Sequence, residues 1–544
     1  MNKIICCIAC IAFFACNTPQ SQTNQSCCAD SALLSQFVLL HNNQFQLHDT
    51  LFLPIMLNYV LDYRYISDTF VLSPHTYYEN RRIKNLQTAA EINERFRAHF
   101  EYIREIGFNT LRLCFDRMQG ENFYCVDGKK ISVQTDYEAI LRALDTVVNI
   151  AKESDLKIML LLPNSIDNKN LGDFTTKLLQ HFCAEPTIFA YDFINEPLYF
   201  DRNTSRTKEQ VFAIVNEWKL QMDSYAPHQL FTIGFAEPLE VFRWDPQLLP
   251  VDFVCFHTYH PLRVPNEMYW YGTYIDKPFM IGETGLPADN DSISYEDQRR
   301  FMKESYEYAR DCGAIGYGWW EFQYARNYAN IGEEANDAQA TYQDDFNARH
   351  IGLINNKDSV ITKKNKYIIY GMPKPATVEI VRFADYKVQK KRRPLNYYNI
   401  LNYSNFVIRG SVINESTQKP IEGAVIRGWN KDWTIGVNTF SDSLGNFMLY
   451  SNDQCTHFKI SAPGMTAVTF NYPKLEYTAT ECATTHIDSV PNRTLEYQQI
   501  SYKPFVDTAT GRLFALKPEL FSNAQFATSI QPVYVKPIAI ETIP

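Results

Sequence analysis

The chain has 544 residues, 45% hydrophobic and 21% charged. That length holds an α/β barrel of about 250 residues plus a smaller domain, or three small ones, and the composition excludes a mostly disordered or collagen-like chain. Lys and Arg number 52 against 61 Asp and Glu, a formal charge of -9, which excludes nucleic acid as the main partner because phosphate binding needs a basic field.

Residues 1–16 read as an export signal. Lys3 supplies the positive end, and Ile4 to Phe14 is apolar yet too short to span a bilayer as a helix. Phe13-Phe14-Ala15-Cys16 resembles a bacterial lipobox, so Cys16 is the expected lipid site of a membrane-anchored protein in the periplasm or on the cell surface. Residues 17–35 are rich in Gln, Ser, Thr and Asn and read as a tether, with too little apolar surface to fold. No later run is long enough for a membrane helix. Of the 13 Cys, four lie in residues 1–16, and the odd nine that remain form no disulfide framework in a chain this long. Cys114, Cys183, Cys255 and Cys312 sit in or beside apolar stretches and read as buried free thiols, while Cys455 and Cys482 are placed to pair. No CxxC or HxxxH spacing marks a metal site.

Residues 36–375 carry a βα alternation. A hairpin over Phe37–Leu47, followed by Asp49–Leu53, is placed to plug the bottom of a barrel. The strand candidates are Leu51–Asn58, Asn109–Phe115, Lys157–Leu162, Ile188–Ile194, Leu230–Phe235, Asp252–His257, Pro278–Glu283 and Ala314–Trp320, each bounded by Gly, Pro, Asn or Asp. Amphipathic stretches such as Ala89–Ile106, Tyr137–Ser154, Lys208–Tyr225 and Tyr295–Cys312 lie between them. The pattern predicts a (β/α)₈ TIM barrel; an open doubly wound sheet fits less well, because no Gly-rich phosphate turn follows the first strand.

Chemistry in such a barrel sits where the strands end. Strand four closes with Asp192-Phe193-Ile194-Asn195-Glu196-Pro197, and strand seven with Ile281-Gly282-Glu283-Thr284-Gly285. Both place a Glu after an apolar strand, and two facing carboxylates are the minimum kit for glycoside hydrolysis. Glu185 and Glu237, which also precede prolines, read as solvated loop residues.

Asn195-Glu196-Pro197 and Gly282-Glu283-Thr284-Gly285 resemble the acid/base and nucleophile motifs of the retaining-glycosidase clan built on this barrel. Within that clan, Leu51 to Phe322 most resembles glycoside hydrolase family 5, the cellulase and β-mannanase family. Three more strand ends match in order: Arg112 in Asn109-Thr110-Leu111-Arg112, His257 and Tyr259 in His257-Thr258-Tyr259, and Trp320 in Trp319-Trp320-Glu321. The resemblance implies that Glu283 attacks and Glu196 acts as acid and then base. It also implies that Arg112 and Tyr259 hydrogen-bond the nucleophile, that Asn195 holds the sugar 2-hydroxyl, and that Trp320, not Trp319, lies under the sugar. A nucleophilic carboxylate must stay ionised, which Arg112 favours, whereas the acid must keep its proton, partly through the nearby Glu283 charge. Where many relatives carry a His at the end of strand three, this chain has Leu162-Pro163-Asn164-Ser165, which leaves the substrate open. Trp244, Tyr269, Trp270 and Tyr271, in the loops after strands five and six, are equally suited to stacking on sugars and to packing. The polar stretch 332–349 is placed to line the rim.

Residues 376–404, with the run Lys390-Lys391-Arg392-Arg393-Pro394, read as a linker. From 405 to 490 short alternating strands predict a β-sandwich. Pro420-Ile421-Glu422-Gly423-Ala424-Val425, Ser441-Asp442-Ser443-Leu444-Gly445-Asn446-Phe447 and Ala462-Pro463-Gly464 resemble a carboxypeptidase regulatory-like domain, with Asp442 and Asn446 in a turn. Residues 491–544 carry no assignable pattern. The expectation is a lipid-anchored, exported endo-β-glycanase needing no cofactor, acting on a polysaccharide such as β-mannan or β-glucan, with a sandwich that can dock a partner. The rival is a surface glycan-binding protein on an inactive barrel.

Overall fold

The structure is a computed structural model. It describes residues 31–76, 86–115, 118–124, 129–259, 261, 263–290, 293–323, 350–355, 360–363, 367–380, 406–431, 436–451, 455–471, 478–480, 525–529 and 533–535. The stretch expected to be an export signal (with Cys16), the 332–349 stretch, the basic run at 390–393 and Cys482 lie outside these residues. The stretch expected to be a tether ends in a helical turn at Ser31–Leu34, and Phe37 and Val38 are already buried.

The eight barrel strands are β1 (Ile55–Ile66), β2 (Thr110–Phe115), β3 (Lys157–Leu161), β4 (Ile188–Asn195), β5 (Leu230–Phe235), β6 (Val254–His257), β7 (Phe279–Glu283) and β8 (Tyr317–Trp319). They pair in sequence order, all parallel, and β8 closes on β1 through Tyr317 opposite Ile55. β1 runs longer than its sequence pattern, because its second half pairs antiparallel with Thr69–Pro74. The main helices are α1 (Ala89–Glu105), α2 (Tyr137–Glu153), α3 (Lys169–Phe182), α4 (the single turn Pro197–Phe200), α5 (Lys208–Tyr225), α6 (Val264–Tyr274) and α7 (Tyr295–Asp311). Thr88 with Glu91, and Thr207 with Gln210, form capping boxes that satisfy free N–H groups at the starts of α1 and α5.

The barrel bottom is plugged by a small antiparallel sheet of Leu39–His41, Gln44–Leu47 and Thr50–Leu51. Asn42-Asn43 and His48-Asp49 make its turns in left-handed backbone, the conformation that two-residue hairpins demand. Phe45 is fully buried there, edge-on to Phe189 at 5.8 Å and Phe253 at 5.0 Å. Above it, Met56, Met159, Ala190, Cys255 and Met280 fill the lumen. Below the cleft the barrel is therefore a packed core, and the chemistry is confined to its upper end.

One crossover is irregular. Between β5 and β6 there is no α-helix, only a 3₁₀ turn at Pro238–Phe242. The C-terminal sandwich packs into that gap. Its sheets are β12-β9-β16-β15, with β17 also on β9, and β11-β10-β13-β14. These strands are β9 (Phe406–Asn414), β10 (Val425–Trp429), β11 (Gly436–Phe440), β12 (Asn446–Ser451), β13 (His457–Ser461), β14 (Val468–Asn471), β15 (Thr478–Thr480), β16 (Gln525–Ser529) and β17 (Val533–Val535). Ile408, Val412, Ile426, Leu449 and Phe458 fill the space between the sheets. Along β10 the side chains alternate: Ile426 belongs to that core, while Val425 joins the core of the barrel. Asp442 accepts from the N–H groups of Leu444 and Asn446 at 2.9 Å and so shapes the predicted turn.

The seam with the barrel is bonded as well as packed. Trp270 Nε1 donates to the Gly423 carbonyl at 2.8 Å, and Tyr274 donates to Glu422 at 3.2 Å. Lys208 Nζ, buried, donates to Asp245 at 2.8 Å, to Ser461 Oγ at 3.0 Å and to the Met465 carbonyl at 2.5 Å.

Several expectations are corrected. The 491–544 stretch, unassigned from sequence, supplies β16 and β17, both parallel to β9. The barrel's packing continues past 375, where Ala376 and Ile380 are buried. Cys183 is half-buried and disulfide-bonded to a cysteine outside the described residues, since Cys114, Cys255, Cys312 and Cys455 are thiols and not disulfides. Cys455 is thus not paired with Cys482.

Candidate active site

Arg112, midway along β2, is fully buried and organises the upper end of the barrel. Its Nε and Nη2 donate to one oxygen of Asp192 at 3.0 and 2.8 Å, Nη2 also to Asn195 Oδ1 at 2.8 Å, and Nη1 to Asn58 Oδ1 at 3.1 Å and to Glu283. The Asn58 amide in turn donates to the carbonyls of Gly282 and Trp319 at 2.9 and 3.0 Å, tying β1 to β7 and β8. Burial works against the Arg112 charge, but the carboxylates of Asp192 and Glu283 hold its pKa well above the ordinary value.

Two register shifts aim the remaining groups. Asp192 and Asn195 are three apart on β4 and would face opposite sides of a regular strand, yet both reach Arg112 because the pairing with β5 slips between them. A second slip, between Phe256 and His257, sets His257 opposite Glu283. Two glycines make room for this crowding. A Cβ at Gly234 would lie 2.9 Å from Asp192 Oδ2 and 3.0 Å from His257 Nε2, and one at Gly282 would lie 2.4 Å from Cys255 Sγ.

Glu196 follows β4 with φ 43°, a left-handed conformation that a non-glycine residue adopts at some cost and that recurs at functional sites. Its N–H donates to the Gly234 carbonyl at 2.6 Å, and its Oε1 lies 2.9 Å from His257 Nδ1. Burial raises the Glu196 pKa to about 7, with Asp192 and Glu237 adding to the effect and Arg112 opposing it. Burial is therefore the leading cause, where the sequence reading assigns part of the shift to the Glu283 charge. Burial also lowers His257 to about 4, so at neutral pH it is an uncharged hydrogen-bonding partner. Glu283 accepts from Arg112 and from the Tyr259 hydroxyl. One ligand oxygen of Glu196, one of Glu283 and a nitrogen of His257 all lie within 4.8 Å of one another.

These three residues are, among the described residues, the group able to hold a metal ion. Glu283 is already matched by the Arg112 cation, so a divalent ion would bring like charge against a buried guanidinium. What the cluster does present is two buried carboxyl groups in unlike surroundings, Glu196 with its pKa raised and Glu283 bonded to Arg112 and Tyr259.

No family model and no curated protein matches the chain. Among solved structures the chain is similar to an exo-β-1,4-mannosidase from an Opitutaceae bacterium, at 14% identity over 64% of this chain and 62% of that one, with a TM-score of 0.45. The chain thus spans less than two thirds of that relative's length. It is also similar to an endo-1,4-β-mannanase from Rhizomucor miehei, at 15% identity over 54% and 93% of the two chains with a TM-score of 0.38. An endo-β-1,4-mannanase from Thermotoga petrophila aligns at 15% identity over 77% and 97%, also with a TM-score of 0.38. Such distant likenesses carry no argument about chemistry, which rests on the side chains themselves.

The structure gathers Arg112, Asn195, Glu196, His257, Tyr259 and Glu283 at one end of the barrel. Trp320 is half-buried beside them, its backbone N–H donating to the Thr284 carbonyl at 2.9 Å, while Trp319 is fully buried against Phe301. Asn58, Asp192 and Gly234 were not legible as site residues, because their roles depend on pairing across strands. Trp244, Trp270 and Tyr271, candidates for stacking on sugars, are buried packing: Trp244 donates to Asp201 at 3.0 Å, and Tyr271 stacks on Phe256 at 3.9 Å. Asn164, at the end of strand three, is exposed and donates to the Phe200 carbonyl at 3.2 Å. Glu185 and Glu237 are not solvated loop residues. Glu185 pairs with Lys152 at 3.1 Å, and Glu237 pairs with Arg263 and accepts the Tyr199 hydroxyl at 2.7 Å.

Proposed function

We propose that the protein is a retaining glycoside hydrolase that cleaves β-linkages in a polysaccharide such as β-mannan or β-glucan. The observation that carries this reading is the pair Glu196 and Glu283: buried, with a carboxylate oxygen of each within 4.8 Å of the other, and in unlike surroundings. Retaining enzymes hold their carboxyl groups about 5–5.5 Å apart, whereas an inverting pair stands about 6.5–9.5 Å apart to admit a water between them. Glu196, with a pKa near 7, keeps a proton to give to the leaving oxygen. Glu283, gripped by Arg112 and Tyr259, attacks the anomeric carbon and forms a glycosyl-enzyme ester. Glu196, now a carboxylate, then takes a proton from the water that hydrolyses the ester. Asn195 turns its carbonyl oxygen to Arg112, which leaves its amide N–H groups for the sugar 2-hydroxyl.

The test is release of reducing ends from a panel of β-mannans and β-glucans. Glu196→Gln and Glu283→Gln should each lower turnover on the accepted polymer by about 10³-fold or more, and NMR of the first product should show the β-anomer. Binding without turnover by the unaltered protein would favour a glycan-binding role instead. Export with a lipid on Cys16, and a sandwich of the carboxypeptidase regulatory-like type, belong to the same proposal; C16S should move the protein from the detergent phase to the aqueous phase on partition.

A further inference from the structure

Tyr199 and Phe200, on the single turn α4 that follows Glu196, are 56% and 53% exposed. Solitary exposed aromatics are ordinary, but Tyr199 is held in place. Its N–H donates to the Glu196 carbonyl at 2.8 Å, and its hydroxyl donates to Glu237 at 2.7 Å. Glu237 is paired with Arg263, which also contacts Glu267 at 2.7 Å, and Thr258 donates to Glu267 at 2.5 Å. Thr258 lies between His257 and Tyr259. A chain of polar contacts thus runs from an exposed ring three residues past Glu196 to the strand end that carries the partners of both carboxylates. The backbone of the turn is pinned as well, since Glu240 accepts from the Leu198 N–H at 2.9 Å and Asn164 holds the Phe200 carbonyl. Arg427 of the sandwich exerts its charge on Glu237 and is steadied by Asn438 at 3.0 Å, so β10 stands near the residue that tethers Tyr199.

A general acid must reach the oxygen of the departing sugar, so that sugar lies on the Glu196 side of the cleft, away from Glu283. We infer that Tyr199 is the stacking platform for the first sugar on the leaving-group side, its ring oriented by the hydrogen bond to Glu237 and the ion pair of Glu237 with Arg263. The inference rests on the glycosidase reading. A tethered ring offers a flat apolar face at little entropic cost when a pyranose settles on it. Its ligand is a pyranose ring of a β-linked chain.

The experiment compares the accepted polymer with the β-glycosyl fluoride of the same sugar, whose leaving group has no ring to stack. Tyr199→Ala should lower kcat/KM on the polymer by about 10- to 100-fold and leave the fluoride within about 2-fold. Tyr199→Phe, which keeps the ring and loses its tether, should fall between Tyr199→Ala and the unaltered protein. Equal losses on both substrates, or no loss on the polymer, would overturn the assignment while the glycosidase reading stood. Absence of turnover on either substrate by the unaltered protein would overturn both.

Discussion

Arg112 and Lys208 are both cations buried in this chain, and they are satisfied differently. Lys208 meets one carboxylate, Asp245, whose Oδ2 also accepts the Gly464 N–H at 2.8 Å; a hydroxyl and a carbonyl take its other protons. The cluster is neutral and saturated, and it joins barrel to sandwich. Arg112 meets two carboxylates, Asp192 and Glu283, with Glu196 a few ångströms further on. There the acids outnumber the cation, and burial pushes the pKa of one of them, Glu196, up to about 7. A buried charge pair by itself is thus no mark of chemistry; an unbalanced one, in which a titratable acid is left over, is the feature that separates the cleft from the seam.

Removing each cation should widen that contrast. Arg112→Met leaves Asp192 and Glu283 buried without a counter-charge, and it should cost about 3–5 kcal/mol in urea unfolding and abolish turnover. Lys208→Met should cost a similar amount at first, but Lys208→Met with Asp245→Leu should recover most of it, with activity per folded molecule unchanged. The matching double change in the cleft, Arg112→Met with Asp192→Leu, should recover no activity.

The pH response should locate the surplus acid. On the proposed mechanism Glu196 works while protonated, so kcat/KM should fall as pH rises through about 7. The smallest effect is on stability. A Glu whose folded pKa is raised from 4.5 to about 7 makes the fold less stable as pH climbs between those values, because the unfolded chain releases the proton first. Glu196→Gln should therefore be more stable than the unaltered protein at pH 8, by about 1–3 kcal/mol, and no more stable at pH 4. A pH-independent difference would assign the gain to packing.

The sequence made the repeating parts legible. Strand and helix positions follow from local periodicity, which is why Leu230–Phe235 and Lys208–Tyr225 match to the residue. The two glutamates were legible because a strand end in a barrel is a place with a known orientation. What stayed hidden depends on contacts between distant segments. Asp192 meets Arg112 only because β4 slips its register, and no local pattern announces a slip. Trp270 and Tyr271 are aromatic in a loop-like context on paper, yet they are core because the sandwich and β6 cover them. Cys183 sits in an apolar neighbourhood, but its partner could be known only in three dimensions.

The lack of an α-helix between β5 and β6 has a consequence for how the chain is made. The barrel strands are complete at residue 319, but the wall that fills the gap between α5 and α6 includes Ser461 and Met465, roughly 150 residues later. At about 5–20 residues per second, synthesis leaves that flank open for roughly 7–30 s, with Trp270 and the positive end of Lys208 facing solvent. A fragment ending near residue 380 would keep that flank open permanently, and a poor yield of such a fragment would measure the unfilled gap and say little about the barrel's own sequence.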